Sequence, residues 1–406
     1  MNREMQHIDV LAGEIGFRVA TTEGEQHAAQ YIERELQSYG LQDVRQEAFP
    51  CTTEAMNSLF PYLLALLGSV LIAPIAPLLG LSGMLATPAL MMSEQRLNRG
   101  PAGWLTRKGT SHNVIGVLPA KGECKARVVL MAHCDSVRVR GYMKPKKRNL
   151  ALRLQFYLFG LSYFTALAST IVGLLARRKK QTKLARSAGR IAGVAGATTL
   201  TAISPILAGQ MIRGVDGEGA NDNASGVAVL LSLAEQMAQE PLENTEVWFV
   251  ATGGEEIGLI GARALLQRYG KTLKDAYFLA IDTVGAGRIH YTTQEQFTRR
   301  SDVPHEMVDI LVTASEKGRH RAMPIALRGG ATDASTALDK RHKAASICCL
   351  VKDGKWPEIN WPTDTRQYVE ADVPPKVTAF VKNVLQEINQ RVCYNKEHKN
   401  HALSAR

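Results

Sequence analysis

The sequence predicts an α/β fold: a mostly parallel central sheet with helices on both faces, interrupted by inserted apolar helical hairpins. Three observations predict it. Apolar runs of strand length alternate with amphipathic runs of helix length, the pattern of a sheet covered on both faces. The residues that carry chemistry fall at the ends of those strands, where open α/β sheets bind ligands. Long charge-free tracts break the alternation at two places. The chain of 406 residues is 45% apolar, which is ample for a core.

Residues 3 to 40 read as helical. In "TTEGEQHAAQYIERELQSYG", Thr22 and Glu25 have the spacing of a capping box. Ala28, Tyr31, Ile32 and Leu36 recur at helical spacing, and Gly40 follows as a C-terminal cap. A short strand is expected over 44–49. Further strands are "NVIGVLP", "ARVVLMAH", "TEVWFVAT", "DAYFLAID" and "ASICCLV". The helices between and after them are "SGVAVLLSLAEQMAQ", "IGARALLQRYG", "VPHEMVDILVTASEKG" and "KVTAFVKNVLQEINQRV".

Residues 55 to 93 contain no charged side chain and have Pro74 and Pro77 in the middle, so they predict two short apolar helices meeting at a turn. A second charge-free run, Leu154 to Ala176, is long enough to cross a bilayer at about 1.5 Å per residue. A third run, Ile191 to Ile212, is rich in Gly, Ala and Thr. The basic stretch "RRKKQTKLARSAGR" joins the last two, and Lys144, Lys146, Lys147 and Arg148 precede them. Much of the net charge of +11 lies here, which points to anionic lipid headgroups as a partner. Nucleic acid is not expected: there is no zinc-finger spacing, no helicase-type phosphate loop and no basic patch interleaved with aromatics. The six scattered cysteines fit a reducing compartment, and "MNREMQHIDVLAGEIG" lacks the apolar core of a secretory signal. The expected location is therefore membrane-associated, with the catalytic part on the cytoplasmic side.

His133 and Asp135 follow the strand "ARVVLMAH". Asp222 lies in the loop "GANDNASGVA" that enters a helix. Glu255 and Glu256 follow "TEVWFVAT", and Asp282 ends "DAYFLAID". One imidazole and several carboxylates are ligands that zinc accepts. A divalent ion also offsets the repulsion among so many acids in one cleft.

The order HxD, D, EE, D and the words around it resemble the clan MH co-catalytic zinc aminopeptidases, a group that includes glutaminyl cyclases. The matching words are "MAHCDSV", "GANDNASGVAVLLSLAE", "ATGGEEIGLIGAR", "AIDTVGAG" and, more weakly, "GGATDAS". The resemblance implies a zinc-exopeptidase fold, a peptide substrate and one or two zinc ions. It implies that His133 and Asp282 hold one metal, that Asp222 bridges both, and that Glu256 binds the second. It implies Glu255 as general base and Asp135 as the acceptor that fixes the His133 tautomer.

The family's last ligand is a histidine, and here the matching word "NWPTDT" places Asn360 at that position. A neutral oxygen is a weaker zinc ligand. The second site is thus expected to bind weakly through Asn360, to recruit another residue such as His342, or to stay unused. The expected organisation is a discontinuous catalytic domain at 1–54, 94–140 and 214–395, an apolar hairpin at 55–93, a basic apolar insert at 141–213 and a tail at 396–406. A glutaminyl-cyclase-like acyltransferase and a catalytically impaired, membrane-bound peptide-binding protein are the alternatives to a zinc aminopeptidase.

Overall fold

The computed structural model describes residues 2–53, 55–97, 108–139, 145–211, 214–296, 300–328, 330–351 and 361–404. The chain divides into two compact units. The first comprises Met1–Cys51, Gly109–Val139 and Asp216–Arg406; the second comprises Thr52–Lys108 and Arg140–Val215. The second unit thus takes in residues 94–108, which the sequence reading assigned to the catalytic domain.

Among the described residues of the first unit, β1 (Gln42–Thr52), β2 (Lys108–Leu118), β3 (Ala126–His133), β6 (Thr245–Thr252), β7 (Tyr277–Ile281), β8 (Arg288–Gln296), β9 (Arg300–Asp302), β10 (Met323–Arg328) and β11 (Lys343–Leu350) form one sheet. The labels β4 and β5 denote the two-residue strands Arg138–Val139 and Val215–Asp216. The order across the sheet is β1-β2-β6-β3-β7-β11-β8-β10, with β9 on β8. The central strands β6, β3, β7 and β11 run parallel. β2 and β8 flank them antiparallel. The core strands are almost continuously buried, which is why they read as unbroken apolar runs.

The predicted strands are all present. The sequence reading did not anticipate β8, β9 and β10, because "RIHYTTQEQ" and "MPIALR" mix polar and apolar residues without a clean period. The helix Ser225–Gln239 matches its expected word from end to end. The C-terminal helix runs Val373–Ser404, so most of the expected tail continues it.

The helix Glu23–Ser38 ends at Gly40 with φ +80°, the left-handed cap expected there. Its expected capping box does not form. Thr22 makes no side-chain cap, and its hydroxyl donates to the Val19 carbonyl. Glu25 is drawn elsewhere, as described below.

The second unit contains the helices Ala55–Ile72, Pro77–Leu97, Pro145–Arg178 and Thr182–Met211. The first two meet at a turn that holds Pro74, as the prolines predicted. Val70, Ala73, Met84, Ala166 and Ala195 form a small buried cluster inside it. Tyr163 donates to the Met84 carbonyl at 2.8 Å, and Thr199 donates to Ser162 Oγ at 2.9 Å. Much of the remaining surface is apolar: Ile75, Leu78, Tyr157, Leu161 and Val194 are between 69% and 83% exposed. The stretch Arg153–Arg178, 26 residues, is long and apolar enough to cross a membrane.

Candidate metal centre

The site lies at the carboxyl ends of the parallel strands. His133 ends β3 and pairs in register with Thr252 of β6. Met131 pairs with Ala280 of β7, so two residues further on Asp282 comes level with His133. His133 Nε2 lies 3.2 Å from Asp222 Oδ1 and 3.8 Å from Asp282 Oδ1. One ligand atom from each of these three residues falls within 4.8 Å of the others. Burial disfavours the charged imidazole, but Glu255, Asp135, Asp222 and Asp282 outweigh it and hold the His133 pKa well above its ordinary value.

Asp135 is fully buried and serves two groups. Its backbone carbonyl lies 3.1 Å from His133 Nδ1, and its Oδ1 lies 3.6 Å from the same nitrogen. The carbonyl is therefore the nearer acceptor for the imidazole N–H, and the carboxylate is engaged elsewhere. The Glu255 N–H donates to Asp135 Oδ1 at 3.0 Å and the Glu256 N–H to Oδ2 at 3.1 Å. One side chain thus ties the β3 exit to the two adjacent glutamates.

Glu25 completes that attachment. It accepts from the Thr21 N–H at 2.6 Å, Ser111 Oγ at 2.7 Å and the Gly254 N–H at 3.2 Å. Three successive amides, at 254, 255 and 256, are therefore held by two buried carboxyls. Burial and the neighbouring Asp135 push the Glu25 pKa up to about 8.

The Asp222 loop is fixed from two sides. Asp364 accepts from the N–H groups of Asn221 and Asp222 at 2.8 and 2.9 Å. On the other side, three polar residues lace the loop to the segment after β7. Asn223 Nδ2 donates to the Ile281 carbonyl at 2.8 Å, and its Oδ1 accepts from Thr283 N–H at 3.0 Å. Ser225 Oγ accepts from the Val284 N–H at 3.0 Å, and Asn221 Oδ1 from the Gly285 N–H at 2.7 Å. Asp222 and Asp282 are thereby held face to face.

Glu255 and Glu256 both have pKa values well above the carboxylate range. Burial is the main cause for each. For Glu255 the neighbours Asp282, Glu256 and Asp333 add to it, against His133; for Glu256, Asp222, Asp135 and Asp282 add to it. Glu256 Oε1 is buried with no hydrogen-bond partner among the described residues. Glu256 is not one of the three residues whose ligand atoms fall within 4.8 Å of one another, but one imidazole, two carboxylates and its unpartnered buried oxygen are donor types that fit zinc.

His342 does not substitute for the missing histidine. It precedes β11 at the amino end of the parallel strands, where Lys343 pairs with Tyr277, and its Nδ1 contacts the Lys274 carbonyl at 3.2 Å. The five steps along the chain from Tyr277 to Asp282 put it about 16 Å from the site, at roughly 3.3 Å per strand residue. Asn360 lies outside the described residues. Asp333 is an addition to the expected set. Its Oδ2 accepts from Thr252 Oγ1 at 2.5 Å, its Oδ1 is buried without a partner among the described residues, and burial raises its pKa to about 7.

A model of peptidase family M28 matches residues 204–385. The alkaline phosphatase isozyme conversion protein of Escherichia coli is 33% identical over 141 residues, which is 34% of this chain and 37% of that protein. The probable lipoprotein aminopeptidase LpqL of Mycobacterium tuberculosis is 39% identical over 75 residues, 18% of this chain and 15% of that protein. These matches thus span little more than a third of those relatives at most. Among solved structures, the zinc aminopeptidase BSAP from Bacillus subtilis superposes with a TM-score of 0.56 at 15% identity, covering 95% of this chain and 94% of that one. The aminopeptidase from Aneurinibacillus sp. strain AM-1 gives 0.55 at 15% identity, covering 94% and 92%. The family model and the ordered motifs make residues 204–385 similar to peptidase family M28, and the solved structures show that the chain shares the fold of these zinc aminopeptidases.

Proposed function

We propose that this chain is a zinc-dependent peptidase that removes residues from the N-termini of peptides. His133, Asp222, Asp282 and Glu256 are its metal ligands, with Asn360 a weaker one, and Glu255 is its general base. The observation that carries this reading is the convergence of His133, Asp222 and Asp282 within 4.8 Å at the carboxyl edge of the sheet. Zinc held there supplies Lewis-acid polarisation of the scissile carbonyl and lowers the pKa of water. Glu255 takes the proton from the attacking water and returns it to the leaving amine. Burial and the neighbouring carboxyls raise its pKa, which favours its holding the proton between those two transfers. Asp135 keeps that base in place by accepting the backbone N–H groups of both glutamates. The excess of carboxyls in the cleft also favours a substrate whose α-amine is free and charged.

The test uses purified full-length protein with aminoacyl p-nitroanilides, free and N-acetylated. Hydrolysis of the free-amine substrate alone, lost on chelation and restored by zinc, is the expected result. A zinc-loaded protein that cleaves neither substrate refutes the reading. Cyclisation of an N-terminal glutaminyl peptide without cleavage points to the acyltransferase alternative.

We further infer that the second unit embeds in a membrane with the catalytic unit on the cytoplasmic side. Support comes from its exposed apolar side chains and from its charge: residues 140–215 contain fourteen Lys and Arg and no Asp or Glu. The chain-wide net charge is +11, so everything outside that stretch is net negative and the basic excess belongs to this insert. Arg177, Arg178, Lys179, Lys180, Lys183, Arg186 and Arg190 cluster at its turn and are exposed, which suits anionic headgroups. The side is argued from the sequence, whose six scattered cysteines have no disulfide-framework spacing and suit a reducing compartment. Carbonate washing should leave the protein in the membrane pellet; release into the supernatant refutes embedding. The exposed Cys124 should resist a membrane-impermeant maleimide in right-side-out vesicles, and labelling there would place the catalytic unit outside.

A further inference from the structure

Fifteen Lys and Arg residues and two long helices separate His133 from Asp222 in the chain, yet their atoms lie 3.2 Å apart. The ends of that insert meet inside the catalytic unit. The Gly217 N–H donates to the Val137 carbonyl at 3.1 Å, and Arg138 Nε lies 2.5 Å from Asp216 Oδ1. Directly beneath this junction is Arg18, whose accessible surface is 0%.

The guanidinium makes five contacts, all to backbone carbonyls. Nε donates to Cys134 O at 3.0 Å, Nη1 to Leu11 O and Gly16 O at 2.8 Å and to Glu218 O at 2.7 Å, and Nη2 to Gly219 O at 2.8 Å. Cys134 is the residue after His133, and Gly219 is three residues before Asp222. The main chain of Arg18 adds to the attachment: its N–H donates to Ser136 Oγ at 3.0 Å, and that hydroxyl donates to the Gly217 carbonyl at 2.9 Å. A buried charge needs its donors met, and here the planar fork meets five carbonyls, with Nη1 sharing its two N–H groups among three of them.

We propose that Arg18 is a positioning residue that holds His133 and Asp222 in register across the insert, so that the two metal ligands stay together although 88 residues separate them in the chain. It acts through the carbonyls of Cys134, Glu218 and Gly219 and does not itself touch the ligands' coordinating atoms. The inference rests on the reading of His133 and Asp222 as metal ligands. It adds that the geometry of this pair is set by a group from the N-terminal segment and not by the sheet alone.

The test measures zinc affinity by chelator competition on the full-length protein, together with melting temperature, kcat and KM, for wild type, Arg18→Lys, Arg18→Met and Phe380→Leu. Phe380 is a fully buried residue of the C-terminal helix and serves as a stability control. Loss of a group that orients ligands weakens metal binding about 10- to 100-fold. Arg18→Met is expected to fall in that range, with kcat reduced more than KM is raised. Arg18→Lys keeps the charge but offers three donors from one point, so it is expected to fold and still to bind zinc more weakly than wild type. The control is expected to melt lower with its zinc affinity unchanged. If Arg18→Met does not fold, Arg18→Lys alone decides: wild-type zinc affinity in that folded variant overturns the proposal. Equal loss of zinc affinity in the Phe380→Leu control also overturns it. A wild type that binds no zinc overturns the metal reading itself, and the positioning role with it.

Discussion

Replacing Glu256 by Met should stabilise the metal-free protein while weakening its hold on zinc. Glu256 Oε1 is buried and has no hydrogen-bond partner among the described residues. A buried acceptor left unsatisfied costs about 1–3 kcal/mol. Methionine has a similar length and carries neither the orphaned oxygen nor a charge that Asp222, Asp135 and Asp282 repel. At about 2–4 °C per kcal/mol for a domain of this size, melting in chelator should rise by roughly 2–12 °C. Zinc reverses the order: an ion at about 100 times its Kd stabilises the wild type by about 2.7 kcal/mol, and the variant gains less. The pH dependence has a definite sign. The folded-state pKa of Glu256 is raised above its unfolded value by burial and by neighbouring carboxylates. Its contribution is therefore fully present below the ordinary glutamate range and is lost as pH rises toward the raised value. The melting temperature of the chelated wild type should fall over that interval, and the variant's should fall less. Calorimetric melting of the full chain in detergent, with chelator and with zinc, reads all of this. A methionine variant that melts below the wild type in chelator refutes the reasoning, because the glutamate would then be satisfied in the metal-free protein.

Three further outcomes are expected. Glu255→Gln should lower kcat by about 10²–10⁴ with zinc content unchanged, because the residue moves protons and is not a ligand; full activity by p-nitroanilide assay contradicts this. Asp222→Asn should lose zinc by elemental analysis, and unchanged stoichiometry contradicts the bridging role. Asn360→His should carry closer to two zinc ions than the wild type and depend less on added metal, with a gain in second-site affinity of about one to two powers of ten, or roughly 1.4–2.8 kcal/mol; equal stoichiometry in both proteins shows that another residue is the missing ligand.

The central strands and most helices were legible because they are buried on both faces or on one clear stripe, and burial writes itself into the sequence as period. The candidate ligands were legible because strand ends in a parallel sheet converge on one edge. What stayed hidden were residues whose partners are backbone atoms. Glu25 has the spacing of a capping box, yet its oxygens go to Gly254, Ser111 and Thr21. Nothing local distinguishes those uses, since Gly254 is 229 residues away. Asn221 and Asn223 sit inside a matched word and Arg18 precedes the first long helix, but none of the three carries a spacing signal of its own. Asp364 was legible only as a neighbour of Asn360, whereas its carboxylate holds the amides of Asn221 and Asp222. Strands β8 and β10 were missed because β8 is mostly buried yet polar, and the edge strand β10 is mostly exposed, so neither follows the continuous or the alternating apolar pattern.

Charge is used at this site in two distinct ways. Carboxyls that face the cleft repel one another and are costly without a cation: Glu255, Glu256 and Asp333 all have raised pKa values. Charged groups one layer further out are spent on the main chain instead. Asp135, Glu25 and Asp364 accept from amide N–H groups, and Arg18 donates to carbonyls. Loop backbone cannot be buried unpaired, and regular structure ends where the ligand loops begin, so side chains must supply the missing partners. Burial raises the pKa of Glu25 and Asp364 too, and the amide N–H groups they accept from oppose that rise. The outer layer's bonds fix the backbone of the ligand loops and, with it, the place of the cleft carboxyls. A neutral replacement in the outer layer, such as Asp364→Asn, would put amide N–H against amide N–H at Asp222 and loosen a ligand without touching it.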